Sequence, residues 1–220
     1  MRLFKKSISG LGLFFLVFAI LIGSPTAVAN LLFMLLCYLL RNPLRTISNR
    51  LIKNKFLLLV IFGTLLGLVL EALWYFGHIF ENKPQPWVSL LDDFIRMFPV
   101  YLLLFIFLYL LIKRYPSTEK QAFIYGGIMG YIFYFAMEGL EVGFSPLILL
   151  LLWEINNFLL NGFLIWMPLY ISSNLVEKQE RSVKEHIWIS TLLLGIALIT
   201  VAITLIFLAV IGYTPIETGP

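Results

Sequence analysis

Residues 56–80 read FLLLVIFGTLLGLVLEALWYFGHIF, and this stretch decides the fold. It contains one acidic residue, Glu71, and neither lysine nor arginine. A helix of about 20 apolar residues matches the hydrocarbon thickness of a bilayer. Comparable apolar runs follow at 97–112, 146–171 and 187–213. The sequence therefore predicts an all-α fold, a polytopic transmembrane helical bundle.

The composition points to the same class. Of the 220 residues, 60% are hydrophobic and 13% are charged, whereas about a quarter of the residues in a soluble domain are charged. The net charge is +4, but the lysine and arginine residues lie between the apolar runs rather than on one basic surface. We therefore expect no nucleic-acid partner. The single cysteine, Cys37, excludes an intrachain disulfide and a cysteine-based metal site.

The positive charges predict the orientation. Lysine and arginine number three in the N-terminus, five in 41–55, three in 113–120 and three in 173–186, with only Lys83 and Arg96 elsewhere. Cytoplasmic connections are enriched in these residues. We therefore expect a cytoplasmic N-terminus, with 81–93, 142–146 and the C-terminus on the outside of the cell membrane.

This orientation predicts seven spans within one membrane domain, 1–220. Residues 7–40 would form a hairpin of two short arms that turns at 23–26, where glycine and proline end helices. A re-entrant element, or one kinked helix and six spans in total, is the alternative. The other spans are predicted at about 56–79, 91–113, 120–141, 146–172 and 187–213.

The N-terminus also resembles a cleaved secretory signal, because a basic start and an apolar run precede Ala27-Val28-Ala29. Cleavage after Ala29 would leave only Asn30 to Leu40 before the next basic segment. A helix of ~11 residues cannot cross ~30 Å of hydrocarbon. We therefore expect the hairpin to stay uncut.

The third span carries a stripe of small and polar residues on one helix face. Gly63, Gly67, Glu71, Trp74 and His78 follow steps of three and four. The Gly63-xxx-Gly67 pair permits close approach of a neighbouring helix, which predicts that this face points into the bundle. Glu71 is therefore expected to face protein or a cavity rather than lipid.

Two further spans carry similar stripes. Their members are Gly127, Gly130, Tyr134, Glu138 and Glu141 on the fifth span, and Glu154, Asn157 and Asn161 on the sixth, with Trp153 and Asn156 beside them. Glu71 lies ~24 Å from the inner boundary and Glu154 ~12 Å below the outer one. Both belong to the outer half of the membrane, with Glu138, Glu141 and His78 near its outer boundary. The cytoplasmic halves are almost entirely apolar, which disfavours a channel.

These residues predict an outward-facing pocket that binds or transports a small solute or cation. Its expected ligand-binding residues are Glu71, Trp74, His78, Glu138, Glu141, Trp153, Glu154, Asn157 and Asn161. Carboxylates gathered at low dielectric either share protons or bind a cation. A purely structural role stays open: Glu71 and Glu154 could make interhelical hydrogen bonds to Asn157 or Asn161, and the outer acids could be solvated helix ends.

Two other functions fit the same residues. An intramembrane enzyme acting on a lipid, isoprenoid or peptide would use Glu71 and Glu154 as catalytic acid and base. An accessory subunit would use its buried polar residues to bind another membrane protein. Because His78 is the only histidine of the predicted outer half, we expect no metal site, and the sequence specifies no cofactor.

Overall fold

The computed structural model describes residues 25–80, 90–142 and 147–214, and within them all side chains except those of 78–80, 136–142 and 147–154. The described part folds into seven α-helices. They are α1 (Pro25–Leu39), α2 (Arg41–Leu51), α3 (Lys55–Phe80), α4 (Leu90–Arg114), α5 (Glu119–Val142), α6 (Leu147–Ile171) and α7 (Val183–Val210). The predicted all-α helical bundle is confirmed.

Three helices are long and apolar enough to cross a membrane. They are Lys55–Gly77 within α3 with 23 residues, α4 with 25 and α7 with 28, and they become four if α1 and α2, bent by 68° at their junction, form one span. These helices are counted among the described residues. The count of seven spans therefore stays a prediction.

The N-terminal arm of the predicted hairpin and any cleavage of it lie outside the described residues. The second arm is α1, which covers Pro25–Leu39 of the described residues. The Ala27-Val28-Ala29 sequence falls in the first turns of α1, and Ala27 is buried against the core. Residues 41–51, predicted only as part of a basic connection, form the separate helix α2.

Five helices contact one another in a closed circuit. α3 packs against α4, α4 against α7, α7 against α5, α5 against α6, and α6 against α3, while α1 covers α3 and α6. The α5–α6 contact is the most extensive of these, and glycines line it. A Cβ atom at Gly130 would lie 2.4 Å from the Asn161 side chain, and one at Gly127 would lie 2.6 Å from the Phe158 ring.

The basic connections meet at one end of the bundle, which we call the basic end. Asn49 Nδ2 donates to the Ile171 carbonyl at 2.7 Å, and Arg181 donates to the Pro116 carbonyl at 2.6 Å. These bonds join the segments that charge counting predicted to share one side. Which side of a membrane the basic end occupies stays a prediction.

The opposite end is held by different contacts. Tyr213, which follows α7, donates a 2.5 Å hydrogen bond to Asp92 in the first turn of α4. Thr26 at the start of α1 packs against Gly77 of α3, where a Cβ atom would lie 2.1 Å from the threonine hydroxyl. Each of α3 to α7 therefore runs between the two ends.

Among the side chains that the structure describes, a fully buried apolar core lies toward the basic end. Phe105, Leu59 and Met167 have no exposed surface, and Leu108 is 1% exposed. Leu59 and Leu108 belong to the parts of α3 and α4 nearer the basic end. Apolar packing therefore closes this half of the bundle and leaves the polar residues of α3 and α4 in the other half.

Candidate functional site

A tyrosine of α4 reaches the glutamate of α3. The Phe105 ring lies against Gly63 and the Tyr101 ring against Gly67, where added Cβ atoms would lie 2.5 and 2.6 Å from ring carbons. From this position the Tyr101 hydroxyl donates a hydrogen bond to Glu71 Oε1, one helical turn beyond Gly67. The prediction that the glycine face of α3 points into the bundle is confirmed.

Burial strengthens this hydrogen bond. The Tyr101 side chain is 7% exposed and the Glu71 side chain is partly buried. A hydrogen bond between a phenol and a carboxyl group is stronger at low dielectric than in water. The bond holds one carboxyl oxygen of Glu71 in a fixed position relative to α4.

A second carboxyl group lies close to this pair. Asp93 is within electrostatic range of both Glu71 and Tyr101, and it lies two helical turns before Tyr101 on the same face of α4. Its Oδ2 atom is buried and has no hydrogen-bond partner among the described residues. Arg96 interacts electrostatically with Asp93, so one guanidinium group balances one of the two carboxyl groups.

A third helix contributes Tyr134. This α5 residue lies within electrostatic range of the Tyr101 hydroxyl and is partly buried. We call Glu71, Asp93, Tyr101 and Tyr134 the Glu71 site. Glu71 and Tyr101 join α3 to α4 on the side of Phe105 away from the basic end, and Tyr134 of α5 interacts with Tyr101 electrostatically.

Three predicted ligand-binding residues are not part of the Glu71 site as defined above: Trp74, Asn157 and Asn161. Trp74 is 42% exposed. Asn161 packs against Gly130 and donates a 2.9 Å hydrogen bond to the Asn157 carbonyl of its own helix. Asn157 is partly buried. The structure therefore brings the stripes of α5 and α6 face to face at Gly130 and Asn161.

The other predicted site residues belong to described helices, but their side chains lie outside the described ones. They are His78 on α3, Glu138 and Glu141 on α5, and Trp153 and Glu154 on α6. The expected proximity of Glu71 and Glu154 therefore stays a prediction, as does a pocket that contains both.

Sequence reasoning missed Tyr101, although a signal for it was present. Asp93, Met97, Tyr101 and Phe105 follow one another in steps of four, which places them on one face of α4. A tyrosine two turns from an aspartate on that face predicts a polar interior, as do the glycine and glutamate stripes. Residues 97–112 were interpreted as a uniformly apolar span, so the polar hydroxyl group of Tyr101 within them was overlooked.

A separate cleft lies between α5 and α7 at the basic end. It holds about 680 Å³, and four isoleucines line it together with polar groups toward the basic end. There the Tyr125 hydroxyl and His186 Nδ1 are 2.7 Å apart. The Ser190 hydroxyl in its wall is buried and has no partner among the described residues. This cleft shares no residue with the Glu71 site.

Metal-ligating side chains do not cluster in the described part of the chain. No group of three or more histidine, cysteine, aspartate and glutamate side chains there could hold a metal ion. Comparison with protein-family models, curated proteins and solved structures gives no match for this chain. The function is therefore argued from the site itself.

Proposed function

We propose that this chain is a multi-pass protein of the cell membrane that binds a small cationic solute or a cation in an outward-facing pocket built around Glu71. In this proposal seven helices cross the membrane, the basic end is cytoplasmic and the C-terminus is outside. The meeting of three basic connections at one end supports the orientation. Transport of the bound solute is the further step that we expect.

The observation that carries the proposal is a pair of carboxyl groups around one tyrosine. Glu71 and Asp93 lie within electrostatic range of each other in a partly buried site. Two carboxyl groups at low dielectric resist being ionised together unless a proton or a cation accompanies them. Arg96 compensates one negative charge, and a bound cation would compensate the other.

The aromatic residues of the site suggest the chemical class of the ligand. Tyr101 and Tyr134 come from separate helices and lie within electrostatic range of each other. Faces of aromatic rings attract cations, including quaternary ammonium groups. The unpartnered Asp93 Oδ2 would accept a hydrogen bond from a protonated or guanidinium ligand. We therefore favour an organic cation over a bare metal ion.

Access is expected from the outside. Phe105 lies one turn from Tyr101 toward the basic end and has no exposed surface, and Leu59 is equally buried. A channel would need polar or small groups along its whole length. Packed aromatic and aliphatic side chains below the site instead favour a binding pocket that is closed to the cytoplasm in this conformation.

The residues of α5 and α6 extend the proposed pocket. Gly130 lies against Asn161, and Glu138 and Glu154 each occur about two helical turns further from this contact. Antiparallel helices that meet at Gly130 and Asn161 would place both glutamates toward the same end. We propose that Glu138, Glu141, Trp153, Glu154 and Asn157 line the pocket, with Trp74 and His78 at its rim.

Thermal unfolding in detergent tests this function. Sodium, guanidinium and tetramethylammonium chlorides are compared at constant ionic strength on the wild type, Glu71→Gln and the control Glu177→Gln, which alters an exposed residue. One cation at saturation is expected to raise the Tm of the wild type and the control by about 5 °C. Glu71→Gln is expected to lose this shift. Equal shifts in all three proteins would contradict the proposal.

A further inference from the structure

Helix α2 is a surface helix with exposed apolar residues along one side. None of its residues is buried, and it bends by 68° from α1. Ile47 is 55% exposed and Leu51 is 78% exposed. Leu40, Leu44, Ile47 and Leu51 follow steps of three and four, which places them along one side of the helix.

Polar side chains fix the orientation of α2 against the end of α6. Arg45 Nε donates to Ser173 Oγ at 3.0 Å, and the Tyr170 hydroxyl donates to Asn42 Oδ1 at 2.6 Å. Asn49 contributes its 2.7 Å bond to the Ile171 carbonyl. The helix is therefore docked by its polar face, and Leu44 packs against the core, while Ile47 and Leu51 stay exposed.

The charge of this region is entirely positive. Arg41, Arg45, Arg50, Lys53 and Lys55 occur within 15 residues, and the first acidic residue of the whole sequence is Glu71. The cations contact neutral groups: Arg41 lies 4.0 Å from the centre of the Tyr38 ring, and Arg45 lies 5.2 Å from that of Tyr170. The positive charge of α2 is thus available to an anion.

A notch between α2 and the end of α6 could accept that anion. It holds about 530 Å³ and is lined by Asn42, Arg45, Thr46, Asn49, Arg50 and Ser173. Its lining contains two guanidinium groups and no carboxylate. Guanidinium groups bind phosphate oxygens through paired, charge-assisted hydrogen bonds.

We infer that α2 lies in the headgroup layer of the cytoplasmic leaflet and binds an anionic phospholipid whose phosphate group occupies the notch beside Arg45 and Arg50. An amphipathic helix with cations on its polar side and aliphatic residues on the other is the usual form of an interfacial helix. Basic residues beside a membrane span attract anionic lipids at the cytoplasmic surface. The inference rests on the membrane orientation proposed above and is independent of the Glu71 site.

The apolar face decides between a lipid and a free phosphate ion. A soluble anion would require the two arginines alone and would leave Ile47 and Leu51 exposed to water. A phospholipid satisfies both sides of the helix, because its headgroup meets the arginines and its acyl region covers the aliphatic residues. Both ligands carry a phosphate group, so binding of phosphatidylglycerol must be compared with binding of inorganic phosphate.

Lipid selectivity measured on the purified full chain tests the inference. Phosphatidylglycerol, phosphatidylcholine and inorganic phosphate are each titrated into the detergent-solubilised protein, and thermal stabilisation is recorded. The double variant Arg45→Gln/Arg50→Gln is expected to bind phosphatidylglycerol roughly 30-fold more weakly than the wild type. The control Lys178→Gln/Lys184→Gln removes the same charge from exposed residues outside the notch and is expected to bind as the wild type does.

Two further measurements keep the inference falsifiable. Arg50→Gln alone, at an exposed residue, is expected to weaken phosphatidylglycerol binding several-fold if the double variant does not fold. Glu71→Gln is expected to keep the wild-type lipid selectivity, so loss of the cation site is distinguishable from loss of this one. Unchanged selectivity in Arg50→Gln, equal losses in the control, or stabilisation by inorganic phosphate alone would overturn the inference.

Discussion

Tyr101 is the residue that connects packing to chemistry in this protein. Its ring fills the space beside Gly67, and its hydroxyl bonds to Glu71. The same side chain therefore holds α3 against α4 and fixes the position of the carboxyl group. A substitution that keeps the ring and removes the hydroxyl group therefore tests the hydrogen bond separately from the packing.

Tyr101→Phe is expected to lower the free energy of unfolding by about 1.5–3 kcal/mol, because a partly buried carboxyl group loses its hydrogen-bond donor. Cation binding should weaken as well, since Glu71 is no longer held in place. The matched control is Tyr109→Phe on the same helix, where the ring packs edge-on against Phe56 with centroids 4.9 Å apart. Denaturation in detergent measures the stability of both variants. Equal losses of stability in Tyr101→Phe and Tyr109→Phe would contradict the role given to Tyr101.

The glycines act at the scale of helix pairs. Gly67→Ala would place a Cβ atom 2.6 Å from the Tyr101 ring, so we expect α3 and α4 to separate and stability to fall by about 1–3 kcal/mol. Gly195→Ala on α7 is the control, because a Cβ atom there meets nothing within 4 Å. Alanine is the better helix former by up to about 1 kcal/mol, so Gly195→Ala should be neutral or stabilising. Thermal unfolding of both variants measures the difference, and destabilisation by both alike would contradict this packing account.

Most helices could be predicted from the sequence because their apolar runs are long and their ends are marked by charge. α3, α4 and α6 begin or end within a few residues of the predicted bounds. The glycine stripe of α3 was informative because only close packing explains two glycines at that spacing within an apolar helix. The direction in which Glu71 faces was therefore predictable from the residues around it.

Helix α2 and the partner of Glu71 were not predictable in the same way. Residues 41–51 have a low average hydrophobicity, and their helix is fixed by docking of Arg45 and Asn49 onto the end of α6. That contact joins residues more than 100 positions apart. The pairing of Glu71 with Tyr101 likewise depends on which two spans are neighbours, and apolar periodicity does not specify this.

The whole molecule has two chemically different ends. Hydrogen bonds link the basic connections at one end. At the other end, Tyr213 donates a hydrogen bond to Asp92. Fully buried apolar side chains of the described part lie nearer the basic end, and the Glu71 carboxyl group lies beyond them. This asymmetry is what an outward-facing site in a bilayer with a positive cytoplasmic side would require.

Labelling with a membrane-impermeant maleimide tests this orientation in intact cells. The background is Cys37→Ala, which removes the single cysteine. Thr214→Cys, at an exposed residue beyond α7, is expected to react in intact cells, whereas Lys178→Cys at the basic end should react only after the membrane is permeabilised. Labelling of Lys178→Cys before permeabilisation would reverse the orientation.

The central claim is that acidic groups of α3 and α6 meet in one pocket. Cross-linking of Glu71→Cys with Glu154→Cys, in the Cys37→Ala background and with a short bifunctional thiol reagent, tests it most directly. Glu71→Cys with Tyr101→Cys is the positive control, because those two side chains are hydrogen-bonded in the structure. The account predicts that both pairs cross-link within one chain. A cross-link in the control pair and none between 71 and 154 would contradict the shared pocket.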